Sequence, residues 1–362
     1  MPERVMRAAV LKEYLSPPVV EEVPAPRVEG PHEAVVRIVG SGVCHTDVHV
    51  WRGEAEAVLD IQLPLILGHE PSGVVEEAGE AVPEWLKPGT PVLVCASGFC
   101  GVEDEYTLSG RHQLCSKPEW PGLSRRQGAF AEFLHVPHYK YLIPAEGVED
   151  LAAASLLTDA GLTAYNAVKK AAASVRPGDY VAVVGLGGVG LFALQLARRV
   201  LAARVIGVDI SEEKLEFAAK TVGLGGEDLL VDASKEDAEA AIMGQTGGRG
   251  VRAVLDFVGV EQTLEKYLPL LDKTGVYVIV GLGSPFGPQI PSLDLILGER
   301  SVLGVLWGSC SDLAELAMLA KAGMVDYKSI VTRRIRLEEV GEAIERLDRG
   351  EVLGRQIVEF KP

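Results

Sequence analysis

Along the chain, the rhythm of apolar and polar positions changes twice. Through roughly the first 150 residues the apolar runs are short and strand-like, cut by Pro and Gly, at 7–11, 34–42, 73–78, 91–95, 131–136 and 141–143. Short strands with frequent turn residues predict a barrel-like, all-β core. From 152 to 173 the composition becomes Ala-rich and favours helix. Strand and helix patterns then alternate: strands at 181–184, 205–208, 229–231, 253–257 and 276–280, with helices at 190–200 and 212–221 between the first three. That alternation predicts a parallel, doubly wound sheet covered by helices. The tail returns to the first style, with amphipathic helices at 311–322 and 337–349 and a last strand at 355–360, placed to rejoin the N-terminal core. The expected fold class is therefore α/β plus β. One domain comprises 1–160 and 306–362, and the other comprises 161–305.

Length supports this division, because 362 residues exceed one ordinary core. A hydrophobic content of 48% against 24% charged residues is the balance of a globular, non-membrane chain. The net charge of −16 leaves no basic excess to neutralise phosphates, which argues against nonspecific nucleic-acid binding. No stretch approaches the roughly 20 apolar residues of a membrane span. The start Met1-Pro2-Glu3-Arg4-Val5 lacks the layout of a signal peptide, so the expected location is cytoplasmic. Five cysteines, at 44, 95, 100, 115 and 310, are too few and too unevenly spread for a disulfide scaffold. Three of them lie between 95 and 115, where metal binding and a local disulfide both fit. Few Cys and Met, many charges and a Pro-rich first domain suit a heat-stable protein.

Gly185-Leu186-Gly187-Gly188-Val189-Gly190 follows the strand-like Tyr180-Val181-Ala182-Val183-Val184 and opens a helical run from Leu191. A strand, a glycine turn and a helix N-terminus direct backbone N–H groups at a pyrophosphate. Asp209 ends the next strand, about 20 residues beyond the fingerprint, where a carboxylate accepts hydrogen bonds from the adenosine ribose and repels a 2′-phosphate. Ile210 and Ser211 follow, with no arginine, so NAD is expected rather than NADP. The alternative is a glycine-rich turn in a nucleotide-free domain, with Asp209 capping the helix at 211–221.

Cys44 and His45 open the run Cys44-His45-Thr46-Asp47-Val48-His49, and Gly68-His69-Glu70 follows downstream. A thiolate, an imidazole and a carboxylate are zinc-type ligands, and a catalytic zinc takes three protein ligands and keeps one open position. Cys44 and His69 supply two. A Lewis-acid metal beside a dinucleotide fold is equipment for moving a hydride to or from an alcohol or carbonyl.

These motifs resemble the zinc-dependent, medium-chain NAD alcohol dehydrogenases, in particular those of thermophilic archaea, from about Met6 to Phe360. Gly68-His69-Glu70 reproduces the family's GHE motif, and Thr158-Asp159-Ala160-Gly161-Leu162-Thr163-Ala164-Tyr165 matches the segment carrying the third ligand. The resemblance implies a GroES-like catalytic domain and a Rossmann cofactor domain. It also implies a catalytic zinc on Cys44, His69 and Asp159 in the cleft between them, with Glu70 adjacent, either behind the ligands or as a transient ligand. Many members have cysteine where this chain has Asp159; zinc accepts the oxygen. Asp47 matches the residue that orients the ligating histidine, and Thr46 and His49 match the proton relay. Thr46 also reads as a helix cap. Thr163 matches a residue packing on the nicotinamide, His45 and Arg355 positions reaching the pyrophosphate, and Lys214 one near the adenosine ribose. Leu282 matches a position whose backbone meets the carboxamide. On composition alone, Arg355 and Lys214 read as surface charges.

The family's second, structural zinc sits on four cysteines in a lobe that here spans 95–115. Its slots fall on Gly101, Asp104, Thr107 and Cys115. A degenerate site of Cys100, Glu103, Asp104 and Cys115, a Cys100–Cys115 or Cys95–Cys100 disulfide, and an empty lobe are all open at this point. Trp51, Ser97, Trp120, Leu282 and Leu306 are expected around an apolar substrate cleft, with small Ser97 leaving room for medium-chain, branched or cyclic alcohols. The two tryptophans read equally as core or interface residues. The resemblance implies a small alcohol or carbonyl substrate and self-association through the cofactor domains, as a homotetramer rather than a dimer. A polyol dehydrogenase and a non-catalytic zinc- and NAD-binding relative are the competing readings. A zinc-free quinone reductase conflicts with Cys44 and His69.

Overall fold

The computed structural model describes residues 4–56, 59–283, 290 and 292–361, which form two compact units. One unit takes 1–162, 308–321 and 331–362; the other takes 163–307 and 322–330. Among the described residues no helix is long and apolar enough to cross a membrane.

The first unit is built mainly on antiparallel strands, with Val331–Ile335 and Arg355–Glu359 as a parallel pair. Its larger sheet runs in the order Val331–Ile335, Arg355–Glu359, Ala34–Gly42, Glu70–Ala78, Pro91–Val94, Leu142–Pro144, with Phe133–Val136 also pairing Ala34–Gly42. A smaller sheet has the order Val19–Pro24, Val5–Leu11, Leu65–Ile66. The last strand of the chain does join the N-terminal core, with Ile357 opposite Gly42 in antiparallel register. Ala34, Val35, Val36 and Ile38 are buried together because Ala34–Gly42 lies in the middle of its sheet with neighbours on both sides. The strands Val19–Pro24, Leu65–Ile66 and Val331–Ile335 go beyond the sequence expectation. They are half-exposed or only two residues long, so no apolar run marks them.

The second unit is a six-stranded parallel sheet in the order Leu229–Asp232, Arg204–Asp209, Tyr180–Val184, Val251–Asp256, Leu271–Ile279, Ser301–Gly304. This is the doubly wound arrangement, and the order reverses at Tyr180–Val184. Ligands of such sheets bind beyond the strand C-termini at the reversal, which is where the glycine turn stands. Val181, Ala182 and Val183 have no exposed surface, as expected of a strand covered on both faces. The helix Glu212–Val222 begins on Ser211, whose side chain accepts from the Lys214 N–H, and stops at Gly223 in the left-handed conformation, φ 66°.

Candidate active site

Cys44 occupies the N-cap of the helix His45–Trp51, and its backbone N–H donates to Asp47 Oδ2 at 2.9 Å. Asp47 is fully buried, and its other oxygen accepts from the Gly68 N–H at 3.3 Å and from His69 Nδ1 at 3.1 Å. One carboxylate therefore closes the helix start, fastens the Gly68-His69 turn to it, and fixes the His69 tautomer with Nδ1 protonated. His69 Nε2 is left facing Asp159 Oδ2 at 3.5 Å. Glu70 begins the strand Glu70–Ala78, is fully buried, and pairs through Oε1 with Arg355, while its Oε2 is buried with no hydrogen-bond partner.

One ligand atom from each of Cys44, His69, Glu70 and Asp159 lies within 4.8 Å of all the others. Nitrogen and oxygen ligands of a tetrahedral zinc, each about 2.0–2.1 Å from the ion, stand roughly 3.3 Å apart. The His69–Asp159 separation matches that spacing. The charges fit as well. Burial and the Asp159 charge push the Cys44 thiol up, and burial raises Glu70 to about 8 despite Arg355. Burial works against ionisation of Asp159, yet its hydrogen bond to His69 and the charges of His69 and Arg355 hold it below the usual carboxylate range. Burial likewise opposes charge on His69, but Asp47 and Asp159 raise it well above an ordinary imidazole. Cys44, Glu70 and His69 therefore hold protons beside ionised Asp159, and a divalent ion would bind such a buried group with proton release. The residues fit zinc.

Thr46 Oγ1 lies 3.7 Å from Cys44 Sγ. His49, one turn further along the same helix face, is partly exposed and bonded through Nδ1 to Glu54 at 2.8 Å. His45 is exposed at the helix start, its ring centroid 5.2 Å from that of His49.

In the second unit, Gly185 has φ 87° and Gly187 caps the helix Gly188–Val200, which begins with Gly188 and Val189. A Cβ on Gly190 would lie 1.9 Å from the Gly185 carbonyl oxygen, so the turn needs glycine there. Asp209 is buried; Oδ2 accepts from the Leu186 N–H at 2.7 Å, and Oδ1 from Ile210 and Ser211 at 2.8 and 3.0 Å. The expected ribose-binding carboxylate is thus tied to the glycine turn itself. Lys214 and Thr163 are half-buried, and Leu282 and Leu306 are exposed.

The sequence reading needs correction in several places. Cys100 and Cys115 form a disulfide. Asp104 caps the helix Glu105–Leu108 and also accepts from the Ser116 N–H, and exposed Glu103 pairs with Lys140 at 3.7 Å. The four therefore do not gather as a second zinc site. Among the described residues the Cys44 group is the one metal-type cluster. The Cys95–Cys100 pairing fails too, because Cys95 is bonded to Cys310, 215 residues away. Four of the five cysteines are in disulfides, against the expectation from their spacing. Arg355 is no surface charge: it is buried on Glu70 and donates to the Val43 carbonyl at 3.1 Å. Trp51 and Trp120 are buried with their indole N–H groups on the Ser16 and Ser97 carbonyls, at 2.9 and 3.0 Å. Ser97 is buried, its hydroxyl on the Gly308 carbonyl at 2.9 Å. Sequence reasoning missed Gly42, where a Cβ would lie 1.9 Å from Glu70 Oε2. Nothing in the local sequence marks that glycine; only the strand pairing of Gly42 with Glu70 does.

Comparison with known proteins agrees with this geometry. Residues 30–147 match the alcohol dehydrogenase GroES-like domain and residues 188–322 the zinc-binding dehydrogenase domain. The chain is 38% identical over 361 residues to an NAD-dependent alcohol dehydrogenase of Sulfurisphaera tokodaii, covering 98% of this chain and 99% of the relative. It is 37% identical, with the same coverage, to one of Saccharolobus solfataricus. Its fold superimposes with a TM-score of 0.86, at 39% identity, on the alcohol dehydrogenase of the hyperthermophilic archaeon Aeropyrum pernix, covering 98% of this chain and all of that one. The chain belongs to the zinc-binding alcohol dehydrogenase family with a GroES-like domain.

Proposed function

We propose that the chain catalyses the reversible oxidation of primary or secondary alcohols to aldehydes or ketones, with hydride transfer to NAD. The observation that carries this is the meeting of Cys44, His69 and Asp159, from three separate segments, with ligand atoms within 4.8 Å of one another. Zinc held there, with Glu70 as an additional ligand within reach, would act as the Lewis acid that favours the ionised alcohol. The chain's own residues do the rest. Asp47 holds the His69 ring, and Arg355 holds Glu70 against the ligand group. Thr46 relays the alcohol proton, accepting it as its own hydroxyl proton passes outward, and partly exposed His49 is the base at the solvent end of that path. The turn Gly185, Gly187, Gly188, Val189 and Gly190 receives the pyrophosphate, with His45 and Arg355 as the supporting cations, and Lys214 serves the adenosine ribose. Asp209 receives the ribose and excludes a 2′-phosphate. Thr163 and the backbone at Leu282 position the nicotinamide. Exposed Leu282 and Leu306 are the apolar positions of the cofactor unit that would meet the substrate.

Self-association completes the proposal. Among the described residues Ser301–Gly304 is the last strand of its sheet, and Leu293, Ile296 and Leu297 are exposed nearby in sequence. An open strand edge with apolar neighbours supports pairing with a second copy, here toward a homotetramer. A heat-stable, cytoplasmic enzyme is part of the same reading; disulfides occur inside cells of extreme thermophiles.

The test is NAD reduction with a panel of alcohols, before and after chelation and zinc add-back. Activity should vanish with the metal and return with it. A zinc-loaded protein that binds NADH tightly yet reduces no NAD with any alcohol sinks the reading. Asp159→Ala should lose the catalytic zinc while its NADH affinity stays within about twofold; loss of both would mean the two sites are not independent.

A further inference from the structure

We propose that Asp256 is a positioning residue for the nicotinamide half of the cofactor, a role that rests on the reading of the glycine turn and Asp209 as an NAD site. The strand order divides the cofactor sheet into two halves of three strands, which meet beside the glycine turn. Each half of such a sheet takes one mononucleotide. Asp209 and the glycine turn belong to the half made by Leu229–Asp232, Arg204–Asp209 and Tyr180–Val184. The nicotinamide therefore falls to the other half, beyond the C-terminal ends of Val251–Asp256 and Leu271–Ile279, where the loops 257–260 and 280–283 begin.

Asp256 gathers both loops. It ends its strand with no exposed surface. Its Oδ1 accepts from the Val258 and Gly259 N–H groups at 2.9 and 3.0 Å. Its backbone carbonyl accepts from the Val280 and Gly281 N–H groups, also at 2.9 and 3.0 Å. Oδ2 accepts from the Thr263 and Tyr277 hydroxyls at 2.7 and 2.9 Å. Burial and the Asp256 charge push the Tyr277 phenol up, so it remains a donor. The two loops then lie backbone against backbone. A Cβ on Gly259 would be 1.9 Å from the Gly281 carbonyl oxygen, and the Gly283 N–H donates to the Val258 carbonyl at 3.2 Å. Leu282 stands between those two contacts, so the backbone assigned to the carboxamide takes its course from Asp256. A carboxylate so enclosed does not reach a ligand itself; it acts through the loops. The glycine turn has a separate anchor, the Leu186 N–H on Asp209 at 2.7 Å, so the two halves can be probed apart.

The experiment is calorimetry on the zinc-loaded protein with NADH and with ADP, which carries the adenosine and both phosphates but no nicotinamide. In Asp256→Ala, NADH affinity should fall by about tenfold or more, with ADP affinity within about twofold of wild type. Asp256→Asn, which keeps an acceptor for the Val258 and Gly259 amides, should recover most of that loss. Unchanged NADH affinity in folded Asp256→Ala overturns the proposal. An equal loss of NADH and ADP overturns it too, and makes Asp256 a support of the whole unit only. Should Asp256→Ala not accumulate as folded protein, Tyr277→Phe carries the test: NADH affinity should fall by about threefold, and an unchanged value overturns the proposal. A wild type that binds neither NADH nor ADP overturns the cofactor reading instead, and the proposal with it.

Discussion

Asp47 shows how much a single residue settles. Its two oxygens serve the Cys44 and Gly68 amides and the His69 ring, so one carboxylate aligns a helix start, a turn and a ligand. Glu33 is built on the same principle away from the site. It accepts from the Glu29 and Gly30 N–H groups at 2.8 and 2.9 Å and faces His135 at 3.1 Å. Chiefly through the Glu29 bond, and despite burial, its carboxyl is held down to about 2 from an ordinary 4.5. A folded-state pKa below the unfolded one stabilises above the unfolded value, and the effect is lost as pH falls toward the folded one. Glu33→Gln should therefore be less stable than wild type at pH 7, with the gap closing between pH 4.5 and about 2. Denaturant unfolding at stepped pH checks this, and a gap constant across that window would exclude it. The chemistry of Cys44, His69 and Asp209 was legible from residue type and spacing. The burial of Arg355 was not, because a guanidinium in a sequence carries no sign of the carboxylate that will face it.

At the level of elements, the strands of the second unit were the most legible. Buried on both faces, they read as continuous apolar runs. The helices Ala238–Gln245 and Glu261–Tyr267 were missed. With 8 and 7 residues they are too short to show a period, and packing of Ile242, Leu264 and Tyr267 into the core holds them. The turn between Val184 and the helix Gly188–Val200 makes the sharpest prediction. Gly190→Ala would drive a methyl group into the Gly185 carbonyl, 1.9 Å away, and disrupt the pyrophosphate cradle. NADH affinity should fall by about tenfold or more, read by calorimetry, while the zinc content of the other unit stays at the wild-type level. Unchanged NADH affinity would mean that the cofactor does not rest on this turn.

At the scale of the whole molecule, the open edge of the cofactor sheet carries the assembly prediction. Leu303→Lys on the strand Ser301–Gly304 should blunt that edge as charged edge residues do. The particle seen by analytical ultracentrifugation should then fall below the wild-type mass, with NADH binding retained. An unchanged mass would place the subunit contact elsewhere. The sequence by itself determined the fold class, the dinucleotide turn with its acid, and two metal ligands. Those features depend on local periodicity and on chemistry carried by neighbouring residues. It also pointed to Asp159, through resemblance rather than through any local signal. Tertiary structure alone decided that Cys44, His69, Glu70 and Asp159 share one small volume. It also placed Gly42 where Glu70 needs room, and paired Cys95 with Cys310 across 215 residues while closing the lobe as a disulfide. Such contacts join positions far apart in the chain, and only the folded path of the backbone sets the distance between them.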